Sequence, residues 1–149
     1  MDALPPVGRF EGNEHRFVLR VYFEDTDLTG MVYHANYLRF MERARSDMLL
    51  AAGIDQRAAQ EAGEGAYAIH ALNVRYRTPA RLGDELTVMS RLVRLRAASV
   101  DIHQRVMRNT VIVTEAEVEA AFVAPSGRPR RQPARWQAAF EPLIWKGQE

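Results

Sequence analysis

From Phe17 the apolar residues alternate as Phe17, Leu19, Val21 and Phe23, the two-residue period of a strand with one buried face. The period changes at Tyr37. Tyr37, Phe40, Met41, Ala44, Met48 and Ala52 recur at helical spacing. Asn36 suits the N-cap and Gly53 the left-handed C-cap position, which predicts one helix of about four to five turns. A polar segment from Asp55 to Gly65 follows, with a short helix expected over Gln56 to Ala62. Four more strand-like runs cover 67–76, 85–95, 99–108 and 111–123. In the last, Ile112, Thr114, Ala116, Val118, Ala120 and Phe122 share one face, and Glu115, Glu117 and Glu119 the other. Arg96-Ala97-Ala98 and Asn109-Thr110 are short enough to be hairpin connections. The order is strand, long helix, then four strands in meander. It predicts an α+β domain in which a five-stranded antiparallel sheet carries one long helix across a face.

The remainder of the chain adds little regular structure. Residues 1 to 14, with Pro5-Pro6, Gly8 and Gly12, show no period and are expected to be a flexible extension. The tail from Pro125 is rich in Pro and Arg, and its Trp136, Phe140 and Trp145 are expected to pack back on the body. At 149 residues the chain suits one domain burying roughly 70% of its extended-chain surface. It has no cysteine, which excludes disulfides, thiolate nucleophiles and cysteine-zinc sites. A net charge of +1 supplies no global field for nucleic acid. No apolar run is long enough to span a bilayer and residues 1 to 13 lack signal-peptide order, so a cytoplasmic protein is expected.

The stretch between the first strand and the long helix looks least like scaffold. It runs Glu24-Asp25-Thr26-Asp27-Leu28-Thr29-Gly30-Met31-Val32-Tyr33-His34-Ala35-Asn36-Tyr37. A loop that delivers a carboxylate to a helix N-terminus sets a base beside free backbone N–H groups, the combination acyl transfer from a carbonyl requires. The spacing Asp25-x-Asp27-x-Thr29-Gly30 also imitates half of a calcium loop. Asn36 stands where the bidentate Glu of such a loop would be needed, and no helix precedes it.

This motif, continued through Leu38, Phe40 and Glu42-Arg43-Ala44-Arg45, and then Asn73, Tyr76, Pro79-Ala80-Arg81 and Gly83-Asp84, resembles the hotdog-fold acyl-CoA thioesterases related to 4-hydroxybenzoyl-CoA thioesterase. The nearer likeness is to the bacterial branch associated with the Tol-Pal envelope system. The resemblance covers roughly residues 16 to 124. It implies a hotdog domain over 15–124, flanked by the extension at 1–14 and the tail at 125–149. It implies thioester hydrolysis with Asp27 as nucleophile or general base. The helix start at His34 would act as oxyanion site, its backbone N–H polarising the thioester carbonyl and its side chain assisting. Gly30, Val32 and Phe23 would border the substrate, and Arg96 and Ser99 the nucleotide, because the 96–99 turn borders that site in relatives. Ala97 and Ala98 lack the basic side chains some relatives carry there. Phe23 stands where the near branch often has tyrosine, so a hydroxyl is missing. Coenzyme A is part of the substrate, and no cofactor or metal is implied. Relatives form dimers with a continuous sheet and active sites at the protomer interface. A homo-oligomer, a tetramer built as a dimer of dimers, is therefore expected.

Other polar residues have simpler readings. Asp25 is expected to bond its own loop, and Asn36 and Tyr37 to cap and pack. Glu42, two helical turns past His34, suits a surface ion pair and is the reserve carboxylate. His15, His70 and His103 share no metal-ligand spacing. Arg128, Arg130, Arg131 and Arg135 suit a solvated tail or a hold on coenzyme A phosphates. Two other functions remain: a hotdog hydratase or dehydratase, and a non-catalytic module binding acyl-CoA or acyl-carrier protein.

Overall fold

The computed structural model describes residues 6–147. Residues 1–5 of the expected extension lie outside the described residues, as do 148–149 of the tail, but the rest of that extension is built into the fold. Arg9–Glu11 forms β1, paired antiparallel with β2, Glu14–Arg20, around a turn where Gly12 takes φ +62°. Three residues are too few to show a period, which is why the hairpin left no pattern.

β2 ends earlier than the alternation predicts. Phe23–Asp25 closes a 3-10 turn, and Phe23 is 81% exposed instead of facing inward. The cause is local: the Asp25 N–H donates to the Tyr22 carbonyl, and Asp25 Oδ2 accepts the Tyr22 N–H at 2.9 Å. Short-range bonds of this kind compete successfully with a strand ladder.

α1, Asn36–Ala51, buries Tyr37, Phe40, Met41, Ala44 and Met48, the face its spacing predicts. It stops at Gly53, φ +84°, where the Gly53 N–H bonds Leu50 O and the Ile54 N–H bonds Leu49 O, a Schellman closure. The N-cap position is Ala35, without a side-chain cap, so Asn36 does not cap as expected. α2, Gln56–Glu61, is capped by Asp55 Oδ1 accepting the Ala58 N–H at 3.0 Å.

β3 (Ala66–Tyr76), β4 (Glu85–Leu95), β5 (Ser99–Arg108) and β6 (Val111–Val123) complete a six-stranded sheet, one strand more than expected. Its order is β1-β2-β4-β5-β6-β3. β4, β5 and β6 form the expected meander, but β3 does not belong to it. β2 occupies the free edge of β4 from Glu14↔Arg91 to Arg20↔Glu85, so β3 pairs with β6. The far edge of β3 has no partner strand among the described residues.

α1 lies across the inner face of the sheet over β2, β4 and β5. Leu86, Val88, Val106, Val113 and Phe122 are buried there, and such side chains contribute roughly 1.5–3 kcal/mol each. Glu115, Glu117 and Glu119 face outward, as the alternation predicts. α3, Ala134–Phe140, brings Trp136 and Phe140 into the core, with Trp136 edge-on to Phe122, and Trp145 lies 4.0 Å from the Arg91 guanidinium. The aromatic end thus packs as expected. No helix among the described residues is long and apolar enough to cross a membrane.

Gly8 runs tightly against this body. A Cβ there would sit 2.2 Å from Arg16 O and 2.8 Å from Asp47 Oδ2. Gly8→Ala is expected to cost about 2 kcal/mol by overpacking, read as a lower urea midpoint with unchanged slope. An unchanged midpoint would contradict the packing described here.

Candidate active site

The acidic loop is shaped by bonds within itself. Asp27 Oδ1 accepts the Thr29 N–H at 2.8 Å and the Thr29 hydroxyl at 2.5 Å. Gly30, φ +79°, reverses the chain, and its N–H returns to Asp27 O at 3.1 Å. That left-handed position favours glycine. These bonds occupy one carboxylate oxygen and leave Oδ2 without a bond from another described residue. The Thr29 hydroxyl, then the Thr29 N–H, and more weakly His34, hold the Asp27 pKa below its ordinary value. The side chain is therefore an exposed, ionised base.

The loop is fastened to the start of α1. The Asp25 carbonyl accepts the Tyr33 N–H at 2.9 Å and Asn36 Nδ2 at 3.0 Å. Asn36 is thus a clamp between loop and helix, a role that its expected capping did not suggest. Asp25 bonds its own loop, as expected. Val32 is buried, and its N–H donates to Ala80 O at 2.9 Å, while Tyr37 Oη accepts the Ala80 N–H at 3.0 Å. The Pro79-Ala80 segment is thereby fixed beside the helix start.

Asp27, Val32, His34, Tyr37, Tyr76 and Pro79 line one hollow of about 320 Å³. Among the described residues, the backbone N–H groups of His34 and Ala35 donate to no protein acceptor. Free amides at the first turn of a helix carry partial positive charge and suit a developing oxyanion. An ionised carboxylate and one residue with an unbonded amide, His34, thus line one opening.

Other candidate residues lie elsewhere. Phe23 is exposed and does not line this hollow. Glu42 borders two different hollows on α1. Arg96 and Ser99 stand beyond the far end of β4, which spans about 30 Å from the end near Asp27. The Arg96 guanidinium is already paired with Asp101 at 2.6 Å and Glu119 at 3.7 Å. Arg130 donates to the Gly63 and Glu64 carbonyls and Arg135 pairs with Glu64, so half of the basic cluster fastens the tail. A larger hollow of about 610 Å³ on the outer sheet face holds Asp101 and His103, but these bond Arg96 and Glu115 and face no helix-start amide. Among the described residues, no three His, Asp or Glu side chains cluster as a metal would need.

One long helix laid on an antiparallel sheet, with the carboxylate loop leading into the helix, is the hotdog fold of thioester hydrolases. The chain belongs to the thioesterase-like superfamily, whose family model matches residues 21–142. It is 37% identical over 132 residues to the acyl-CoA thioesterase YbgC of Haemophilus influenzae, covering 88% of this chain and 97% of that one. It is 38% identical over 128 residues to the acyl-CoA thioester hydrolase YbgC of Escherichia coli O6:H1, covering 85% and 95%. A probable thioesterase from Bartonella henselae, known from its crystal structure, superposes with TM-score 0.77 at 34% identity, over 80% of this chain and 99% of that one.

Proposed function

We propose that this enzyme hydrolyses acyl-CoA thioesters to a free acid and coenzyme A, with Asp27 as the reacting carboxylate. The observation that carries the reading is the shared hollow: Asp27 Oδ2 is free and the carboxylate ionised, and His34, whose amide has no protein acceptor among the described residues, lines the same space. The thioester carbonyl oxygen accepts the His34 N–H. Asp27 either removes a proton from the attacking water or itself attacks the carbonyl carbon, forming an anhydride that water then opens. The carbon–sulfur bond breaks and the sulfur leaves as thiolate, which needs little help because thiols ionise near pH 8.5. The His34 imidazole assists at the rim, and Gly30 and Val32 border the acyl group. Coenzyme A enters as part of the substrate, and the reaction calls for no metal or cofactor. The names carried by the Haemophilus and Escherichia relatives support the substrate class. Placement in the Tol-Pal-associated branch of the 4-hydroxybenzoyl-CoA thioesterase relatives, and in the cytoplasm, belongs to the same reading.

A second copy completes the site in this proposal. The open edge of β3 exposes Ile69, Leu72 and Tyr76, a surface suited to pairing. The Tyr76 end of β3 borders Asp27. The other end, at Tyr67, bonds Gln132 Oε1, and Gln132 Nε2 in turn donates to Arg96 O at 2.7 Å and Ser99 O at 3.3 Å. Antiparallel pairing of two β3 edges therefore brings Arg96 and Ser99 of one copy toward Asp27 of the other. Pairing of two such dimers gives the tetramer.

The test is release of coenzyme A from acetyl-, butyryl-, palmitoyl- and benzoyl-CoA, followed with a thiol dye that a cysteine-free protein does not consume. Turnover of at least one thioester is expected, with sedimentation reporting a dimer or tetramer. Binding without release across the whole panel would replace this reading with that of a binding module.

A further inference from the structure

The turn that leads into α1 is pinned on both sides and loose between. On one side the Tyr33 N–H bonds Asp25 O; on the other, the Asn36 N–H bonds Tyr33 O at 2.8 Å and the Asn36 side chain bonds Asp25 O. Between them lies the peptide joining His34 to Ala35. Its carbonyl does not enter the helix ladder, because the Leu38 N–H turns to Ala35 O at 3.2 Å. Among the described residues one donor reaches that carbonyl: the Tyr76 hydroxyl, at 3.2 Å, from the last residue of β3.

A peptide unit is planar, so a bond that holds the His34 carbonyl also sets the direction of the Ala35 N–H on the opposite side of the same plane. It restrains the His34 amide through the shared Cα. Tyr76 has little else to do as a core residue, since it is 50% exposed. Its ring lies edge-on to His34 at 6.1 Å and tilted against Tyr37 at 5.9 Å, which aims the hydroxyl at the turn.

We infer that Tyr76 is a positioning residue: its hydroxyl holds the His34 carbonyl and so fixes the backbone on one side of His34, as the Asn36 N–H does on the other through Tyr33 O, and the free His34 amide keeps its place at the hollow that Asp27 lines. This rests on the thioesterase reading above. Tyr76 touches no reacting atom in this account. It keeps an oxyanion donor preorganised, and preorganisation is where such donors gain their strength. The hydroxyl also ties the open sheet edge to the catalytic turn.

The experiment is Tyr76→Phe, which keeps the ring and removes the donor. Steady-state hydrolysis of the best acyl-CoA substrate is compared with wild type, alongside melting temperature and sedimentation. The expected result is a roughly 10-fold fall in kcat with KM changed less than about 2-fold. Melting and assembly should be unaltered, and the acid side of the pH profile unshifted, because neither Asp27 nor His34 is changed. Unchanged kcat in Tyr76→Phe overturns the inference. So does a loss of kcat accompanied by a lower melting temperature or a broken dimer, which would make Tyr76 a packing residue. A wild-type protein that releases no coenzyme A overturns the thioesterase reading instead, and this inference with it.

Discussion

Asp27→Asn is expected to lower kcat by about 100-fold or more while leaving the fold and substrate binding nearly intact. The amide oxygen of Asn can accept the same two bonds from Thr29 that Asp27 Oδ1 accepts now, so the turn and the placement of Gly30 survive. What disappears is the negative charge on the free oxygen, and with it both the base and the nucleophile. Because the Thr29 bonds keep the Asp27 pKa below its ordinary value of 3.8, this group imposes no acid limb on kcat/KM above about pH 4. A variant with wild-type turnover would remove Asp27 from the chemistry and direct attention to Glu42.

Asp47→Ala is expected to produce the largest loss of stability, about 3–5 kcal/mol, read by urea or thermal unfolding. Asp47 is 6% exposed on the buried side of α1 and serves three donors. Oδ1 accepts the Val7 N–H at 2.7 Å, Oδ2 accepts the Gly8 N–H at 2.8 Å, and His15 Nε2 lies 2.9 Å from Oδ2. Truncation leaves two amides and a wholly buried imidazole without partners. A loss under about 1 kcal/mol would show that water replaces the carboxylate at little cost.

The same pair sets a pH dependence. Burial lowers the His15 pKa below 6.5, outweighing the hydrogen bond and charge of Asp47, which raise it. The unfolded chain therefore binds the His15 proton at a higher pH than the folded one. Stability from this group is complete above about pH 6.5 and declines as pH falls from there toward the folded value. His15→Gln, which keeps a donor for Asp47 but cannot titrate, should flatten that segment of the stability profile.

The parts of the fold legible in the sequence are those set by local period. The buried face of α1, its Gly53 stop, and the alternation along β6 depend on side chains within one element. The place of β3 beside β6 does not, because it follows from β2 having already taken the edge of β4. β1 and the His15–Asp47 pair escaped for a similar reason: a three-residue strand has no period, and a buried histidine has the same letter as an exposed one. Gln104 is another such residue, buried under α1 with bonds to Met41 O, Ser90 Oγ and Arg45.

The site was legible to the extent that its chemistry is concentrated in one loop. Acids, a glycine at positive φ and a helix start stand within a dozen residues, and the structure gathers Asp27, Val32 and His34 around one hollow. Alternation placed Phe23 on the strand's inner face, but β2 ends at Arg20 and Asp25 draws Phe23 into a turn. The roles of Asn36 and Tyr76 had no signal, since each acts on a backbone carbonyl distant in sequence or outside its own element.

The central claim is that this chain breaks a thioester at the Asp27 hollow. The most direct measurement is to incubate the wild-type protein with an acyl-CoA it binds, quench, and quantify every product by chromatography and mass. The account predicts free acid and coenzyme A in equal amounts, increasing with time well beyond one equivalent of enzyme. A thioester recovered intact, or recovered with one water added to its acyl chain, would contradict it and establish a binding module or a hydratase in its place.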